Sequence, residues 1–213
     1  MTTENWLADT RTSYDTVATS YADLLRGAME DEPHQRATLA VFAELVRNAG
    51  GGPVGDIGCG PGRLTAELRD LGLDAFGIDL SPAMIEVARR DHPDLHFEVG
   101  SMTDLSLPDN SAGGLLAWFS LIHVPDEELP GVLAHFHRAL RPGGPLLVGF
   151  HAGDDTTLKT QGYGGHPMNV HIHKREPATM STRLREAGFT VDVETVLHRD
   201  EHRGAILFAH AND

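Results

Sequence analysis

The stretch Asp56-Ile57-Gly58-Cys59-Gly60-Pro61-Gly62 places glycine at every second position, directly after an apolar segment and directly before one of helical character. Glycine is needed where a chain turns into backbone conformations closed to other residues, or where a ligand must meet the backbone with no Cβ between them. A strand, a glycine turn and a helix in that order predict a βα unit with a nucleotide-type cofactor at the turn. The spacing narrows the cofactor. A dinucleotide turn reads G-x-G-x-x-G, and counted from Gly58 and Gly60 its third glycine would fall where Arg63 stands. Here it comes one residue early, at Gly62.

Away from this turn the chain alternates. Strands are expected at Val54-Ile57, Ala75-Ile78, His96-Val99, Leu115-Phe119 and Pro145-Phe150, with helices at Arg63-Leu71, Pro82-Arg90 and Asp126-Leu140. Such crossovers imply a parallel sheet with helices on both faces and ligands at the carboxyl ends of its strands. Ahead of the turn, Thr10 to Leu25 reads as an amphipathic helix with Tyr14, Val17, Ala18, Tyr21, Leu24 and Leu25 on one face. A second helix begins at Pro33, carries Leu39, Phe42, Leu45 and Val46 inward and stops at Gly50-Gly51-Gly52. At the other end, helix Glu176-Ala187 is followed by strands Val191-Leu197 and Ala205-Ala209. The turn His198 to Gly204 joins them as a closing hairpin with one antiparallel strand. Residues 151–175 are too long for an ordinary connection and read as a segment covering a ligand.

Composition excludes several functions. The 213 residues suit one α/β domain, 1–213. A net charge of −14 spread along the chain, with no basic run longer than Arg89-Arg90, argues against nucleic acid and anionic membranes as partners. Met1-Thr2-Thr3-Glu4-Asn5 has neither the basic nor the apolar region of a signal peptide, no segment approaches a membrane span, and a lone Cys59 forms no internal disulfide. The expected compartment is the cytoplasm.

If the glycine turn follows the first strand, the second ends in Asp79, about 20 residues on, where a carboxylate can accept two hydrogen bonds from a ribose diol. Asp79 could instead cap the following helix, but Ser81 is available for that.

An acidic residue two places before G-x-G-x-G resembles motif I of the class I S-adenosylmethionine-dependent methyltransferases. With Gly77-Ile78-Asp79-Leu80-Ser81-Pro82-Ala83-Met84, Leu107 to Ser111, Leu121-Ile122-His123-Val124 and Leu140-Arg141-Pro142-Gly143-Gly144, the chain resembles their Methyltransf_11 small-molecule type. The resemblance implies a Rossmann-like seven-stranded sheet, mostly parallel with one antiparallel strand, and S-adenosyl-L-methionine as cofactor with S-adenosyl-L-homocysteine as product. It implies that Asp56, Gly58, Gly60 and Gly62 form the cofactor turn facing the methionine half. Leu80 and Met84 would border the adenine, Ser101 and Met102 would contact its amino group, and Trp118 would lie beside the methionyl moiety. In Tyr14-Asp15-x-x-Ala18-x-x-Tyr21 it implies an N-terminal lid, residues 1–50, with both tyrosines on the cofactor. Two departures stand out: Ser101 where the family often has Asp, and Ala112-Gly113 where it often has Phe-Asp before the fourth strand, from which a looser strand entry is expected.

Methyl transfer from a sulfonium needs alignment and exclusion of water, and a base only for some acceptors. His123, following the fourth strand, is the candidate base. Tyr163, His166, Met168 and His171, in the 151–175 segment, are candidate substrate contacts. His171 and His173 would share a face, but no third ligand at fixed spacing supports a metal. The N/D-P-P-Y/F run common in enzymes that methylate nucleobase or amide nitrogen is replaced by Trp118-Phe119-Ser120-Leu121. The acceptor is therefore read as a small organic molecule, with O-methylation ahead of N- or C-methylation. Two other functions stay open: a cofactor-binding protein that transfers no methyl, and an NAD-type oxidoreductase, disfavoured by Arg63 and the closing hairpin. The oligomeric state is not legible.

Overall fold

In the computed structural model, which describes residues 3–27, 32–199 and 202–212, the alternating segments assemble into a seven-stranded sheet covered on both faces. Helices α1 (Thr3–Leu24) and α2 (Pro33–Asn48) precede β1 (Val54–Ile57), α3 (Arg63–Asp70), β2 (Ala75–Asp79), α4 (Pro82–Asp91) and β3 (His96–Val99). Then come β4 (Gly114–Trp118), a 3₁₀ turn (Leu121–His123), α5 (Leu129–Ala139) and β5 (Pro145–His151). A hairpin of β6 (Thr156–Gly162) and β7 (His166–His173), helix α6 (Pro177–Glu186), and β8 (Phe189–Arg199) with β9 (His202–Ala211) complete the chain. The sheet order is β3-β2-β1-β4-β5-β9-β8. Strands β1 to β5 pair in parallel, and β9 runs antiparallel to both of its neighbours. Strand order reverses between β1 and β4, which opens a crevice at their carboxyl ends.

Continuous apolar strands suit a sheet buried on both faces. In β4, Leu115 and Ala117 face Leu133 and Phe136 of α5, while Leu116 faces Phe42 of α2 and Leu68 of α3. Each such leucine or phenylalanine, taken fully out of water, contributes about 1.5–3 kcal/mol. A smaller cluster packs Val17 and Ala18 of α1 against Met84 and Val87 of α4 and Met168 and Val170 of β7, seating α1 across one end of the sheet.

Several boundaries differ from the sequence expectation. Helix α1 starts near Thr3 rather than Thr10. Its Leu24 shares the inward face but, in the last turn, is 65% exposed. In α2, Leu45 lies about 100° round the helix from Val46 and is exposed. Helix α5 begins at Leu129, because residues from Leu121 are spent on the 3₁₀ turn and a turn at Pro125. Strand β4 ends at Trp118, and Phe119 has a left-handed φ of 52°. Of the closing turn, Asp200 and Glu201 lie outside the described residues, as do Met1 and Thr2 of the leader reading.

The entry to β4 is tight, not loose. Ala112 is buried and exchanges backbone bonds with Ala139 and Arg141, and the Gly113 amide donates to the Pro53 carbonyl at 2.7 Å. A Cβ at Gly113 would lie 2.2 Å from the Gly51 carbonyl oxygen. The glycine turn after α2 occupies the space that larger residues would need. Arg141 holds that turn through a bond from Nη2 to the same carbonyl.

The 151–175 segment is an ordered hairpin, paired as its own two-stranded sheet and leaning on α1, where the Asn169 amide donates to Ser13 Oγ at 2.8 Å.

Candidate functional site

A cleft of about 770 Å³, partly open to solvent, lies at the carboxyl ends of β1, β2 and β4 with α1 as its roof. Its place at the strand ends is that of a ligand site in an open α/β sheet. Ten of the residues expected at a cofactor line it: Tyr14, Tyr21, Gly58, Gly60, Asp79, Leu80, Met84, Ser101, Met102 and Trp118.

Asp56 and Gly62 do not line the cleft. Asp56, buried at the end of β1, accepts a hydrogen bond from Thr65 Oγ1 at 2.7 Å; burial raises its pKa to about 7 against that bond. A Cβ on Gly62 would sit 2.6 Å from the Phe97 ring, and its φ is 78°. Both belong to the joint between β1 and α3. Gly58 also answers to packing, since a Cβ there would lie 2.3 Å from Ser120 Cβ. Cys59 is buried with its thiol pKa pushed well up by burial, so it is a packing residue and not a nucleophile.

Asp79 ends β2 at the floor of the cleft. Its Oδ2 accepts the Gly60 amide at 2.8 Å and its Oδ1 accepts the Ser81 amide at 2.8 Å. Burial pushes its pKa up and these two bonds oppose the shift. Each oxygen keeps a second lone pair, so the carboxylate can still accept two hydroxyls of a diol. Ser81, not Asp79, caps α4, accepting the Met84 amide at 3.1 Å. Ser101 Oγ is engaged by Thr103, accepting its amide at 3.2 Å.

Sequence reasoning missed what ties the roof down. Asp15 Oδ1 accepts from Ser81 Oγ at 2.6 Å and from the Ala83 amide at 3.1 Å, clamping α1 to the start of α4. It also missed Trp6, Leu7, Thr10 and Arg11, which line the outer end of the cleft. Their signal was present: they precede Tyr14 by eight, seven, four and three residues, the spacing of one helix face.

His123 is buried on the cleft wall. Its Nδ1 lies 2.9 Å from the His171 carbonyl oxygen, which only accepts, so Nδ1 carries the hydrogen. Nε2 is then the acceptor and takes the Tyr14 hydroxyl hydrogen at 2.8 Å. Burial, and then the nearby His173, Lys159 and His151, lower the His123 pKa to about 4 against the backbone bond. The Tyr14 hydroxyl is pushed well up by burial and by Tyr163, Tyr21 and Asp79. The expected base thus has its lone pair occupied by Tyr14, a cleft-lining hydroxyl that Tyr163 also reaches. Arg175, buried just past β7, holds the loop carrying His123: Nη1 donates to the Leu121 carbonyl at 3.0 Å, Nη2 to that of Val124, and Nε to Asp126 Oδ1 at 2.8 Å.

The expected substrate contacts are not on the cleft wall. Met168 is buried against α1 and α4, and His166 is exposed. Tyr163 packs edge-on to Tyr21 with ring centroids 4.6 Å apart and carries Lys159 Nζ 3.9 Å above its ring. His171 lines a separate cavity behind His123, its ring stacked on His173 with centroids 6.1 Å apart. The hairpin meets the cleft lining through the His171 carbonyl on His123 and the Tyr163 ring on Tyr21. Among the described residues no group of three metal-ligating side chains gathers.

Residues 54–144 match the model of a methyltransferase domain family. The chain is 31% identical over 154 residues to "O-methyltransferase cnsE" of Penicillium expansum, covering 63% of this chain and 55% of that one. The curated relatives it matches are longer, and it spans from about a third to just under two thirds of the length of the first four. Among solved structures, the DhpI complex with S-adenosylhomocysteine superposes with a TM-score of 0.76 at 21% identity, covering 99% of both chains. The 1,6-didemethyltoxoflavin-N1-methyltransferase of Burkholderia thailandensis superposes with a TM-score of 0.62 at 22% identity, covering 92% of this chain and 91% of that one.

Proposed function

We propose that this chain, in which residues 54–144 are a methyltransferase domain within the class I S-adenosylmethionine-dependent fold, transfers the methyl group of that cofactor to a small organic acceptor. The observation that carries the reading is Asp79, anchored by the Gly60 and Ser81 amides at the floor of a cleft whose depth also presents Leu80, Met84 and Ser101. In this reading the ribose diol rests on Asp79, the adenine lies by Leu80, Met84, Ser101 and Met102, and the methionine half passes Gly58 and Gly60 toward Trp118. Residues 1–50 serve as the lid, of which Tyr14 and Tyr21 meet the cofactor, and the 151–175 hairpin braces the wall.

The acceptor enters at the outer end, among Trp6, Leu7, Arg11 and Phe119. O-methylation is the preferred outcome, supported by the O-methyltransferase relative and by the missing N/D-P-P-Y/F run. A histidine near pKa 4 is poorly matched to a phenol near 10, so the acceptor oxygen is one that ionises readily. His123 positions Tyr14, and the rate comes from alignment and exclusion of water.

Titration calorimetry with S-adenosylmethionine, S-adenosylhomocysteine and NADH tests the cofactor. Binding of the first two alone is expected; binding of NADH alone would move the protein to redox chemistry.

A further inference from the structure

Behind the cleft is a second cavity, of about 710 Å³, partly open to solvent, between α2, the end of β5 and the β8-β9 hairpin. Trp118 and Phe119 line both spaces and form the wall between them. Phe119 is unusual in its own right. A bulky side chain at φ 52° carries backbone strain of about 1–3 kcal/mol. It is held there by its amide, which donates to the Gly149 carbonyl at 2.7 Å, and by edge-on contacts with Trp118 and His151 at 5.6 and 4.8 Å between centroids.

The second cavity is mostly apolar, with Leu197, Ala205 and Ile206 on its far side. Glu32, His151 and Arg203 add polar groups to its lining, and Gln35 differs from them in its burial. Gln35 of α2 is 8% exposed, lines the cavity, and its buried Nε2 has no hydrogen-bond partner. A buried donor left unmade costs about 1–3 kcal/mol. The fold tolerates this donor beside a largely apolar cavity, as a binding site built for a ligand does.

We propose that this cavity is a second ligand subsite, in which the distal, apolar part of the methyl acceptor lies behind Trp118 and Phe119 with a carbonyl oxygen accepting from Gln35. The acceptor class is then an extended apolar molecule, aromatic or polycyclic, with a ketone or ester carbonyl remote from the methylated oxygen. Phe119 is the specificity-determining residue, since the acceptor must pass its ring. This assignment rests on the cleft being the methyl-donor site.

The probe is 6-propionyl-2-dimethylaminonaphthalene, an apolar aromatic ketone whose emission shifts to the blue on leaving water. It is titrated into the protein saturated with S-adenosylhomocysteine, so that the cofactor part of the cleft is filled. Two variants report on the subsite. Gln35→Met removes the donor at similar size. Gly204→Val fills the cavity: a Cβ there meets nothing closer than Phe119 at 3.7 Å, and Gly204 lies in extended strand, where valine is well tolerated. Blue-shifted binding to the unaltered protein is expected, weakened about tenfold by Gln35→Met and abolished by Gly204→Val, with S-adenosylhomocysteine affinity within about twofold throughout. Equal probe affinity in all three proteins overturns the subsite, as does no blue-shifted binding to the unaltered protein. Failure of S-adenosylhomocysteine to bind the unaltered protein instead overturns the cofactor reading on which it rests.

Discussion

Acid should loosen the roof of the cleft through His123. Its ring meets Tyr14 of α1 and the His171 carbonyl of β7, with Lys159 of β6, His173 of β7 and His151 of β5 as the charged or titratable groups around it. Burial holds its pKa at about 4 in the folded chain, against 6.5 for an unperturbed histidine. Between those values the unfolded chain carries a proton that the folded chain refuses, so stability falls as pH falls. Integrating one such group from pH 7.5 to 4.5 gives a loss of about 2.5 kcal/mol. The check is urea unfolding at both pH values for the unaltered protein and for His123→Gln, whose amide can accept the Tyr14 hydrogen but does not titrate. Asp56, with its pKa raised to about 7, acts with the opposite sign, favouring the fold as pH falls, but it is common to both proteins and cancels. The unaltered protein should lose about 2.5 kcal/mol more than the variant across the interval. Equal losses would show that His123 is not held neutral by the fold, and the tautomer assignment to Tyr14 and His171 would fall with it.

Asp79→Ala should weaken S-adenosylhomocysteine binding by about 1.5–3 kcal/mol, the worth of hydrogen bonds to a charged group, as read by calorimetry; unchanged affinity removes the ribose assignment. Gly113→Ala should cost about 1–3 kcal/mol in thermal or urea unfolding, because its methyl group meets the Gly51 carbonyl, backbone that the Arg141 guanidinium holds in place. An unchanged midpoint would mean that the Gly50-Gly52 turn yields freely.

Much of the molecule was legible before its structure. Strand β1, the glycine turn and α3 follow from residues adjacent in the chain, and so does Asp79 at the end of β2, because a βα unit repeats at a length set by strand and helix geometry. The capping role of Ser81 was legible for the same reason: the hydroxyl and the Met84 amide are three residues apart. The outer end of the cleft was half legible, since Trp6 and Leu7 extend the stripe of Tyr14 but carry no turn signal to announce the helix start. For the 151–175 segment, length alone does not distinguish a loop over the ligand from the β6-β7 hairpin that packs on α1.

The sequence by itself determined the order of the strands and helices of the main sheet, its one antiparallel strand, and the turn at which a cofactor can approach the backbone. Those depend on periodicity and turn chemistry within a few residues. The tertiary structure alone decided which groups have their hydrogen bonds occupied. The His123 lone pair is closed by Tyr14, 109 residues away, Asp15 clamps Ser81 across 66, and the Gln35 amide nitrogen is left without a partner beside the Trp118–Phe119 wall. Contacts at such separations depend on where the chain returns, and no local pattern records whether a donor arriving there will find an acceptor.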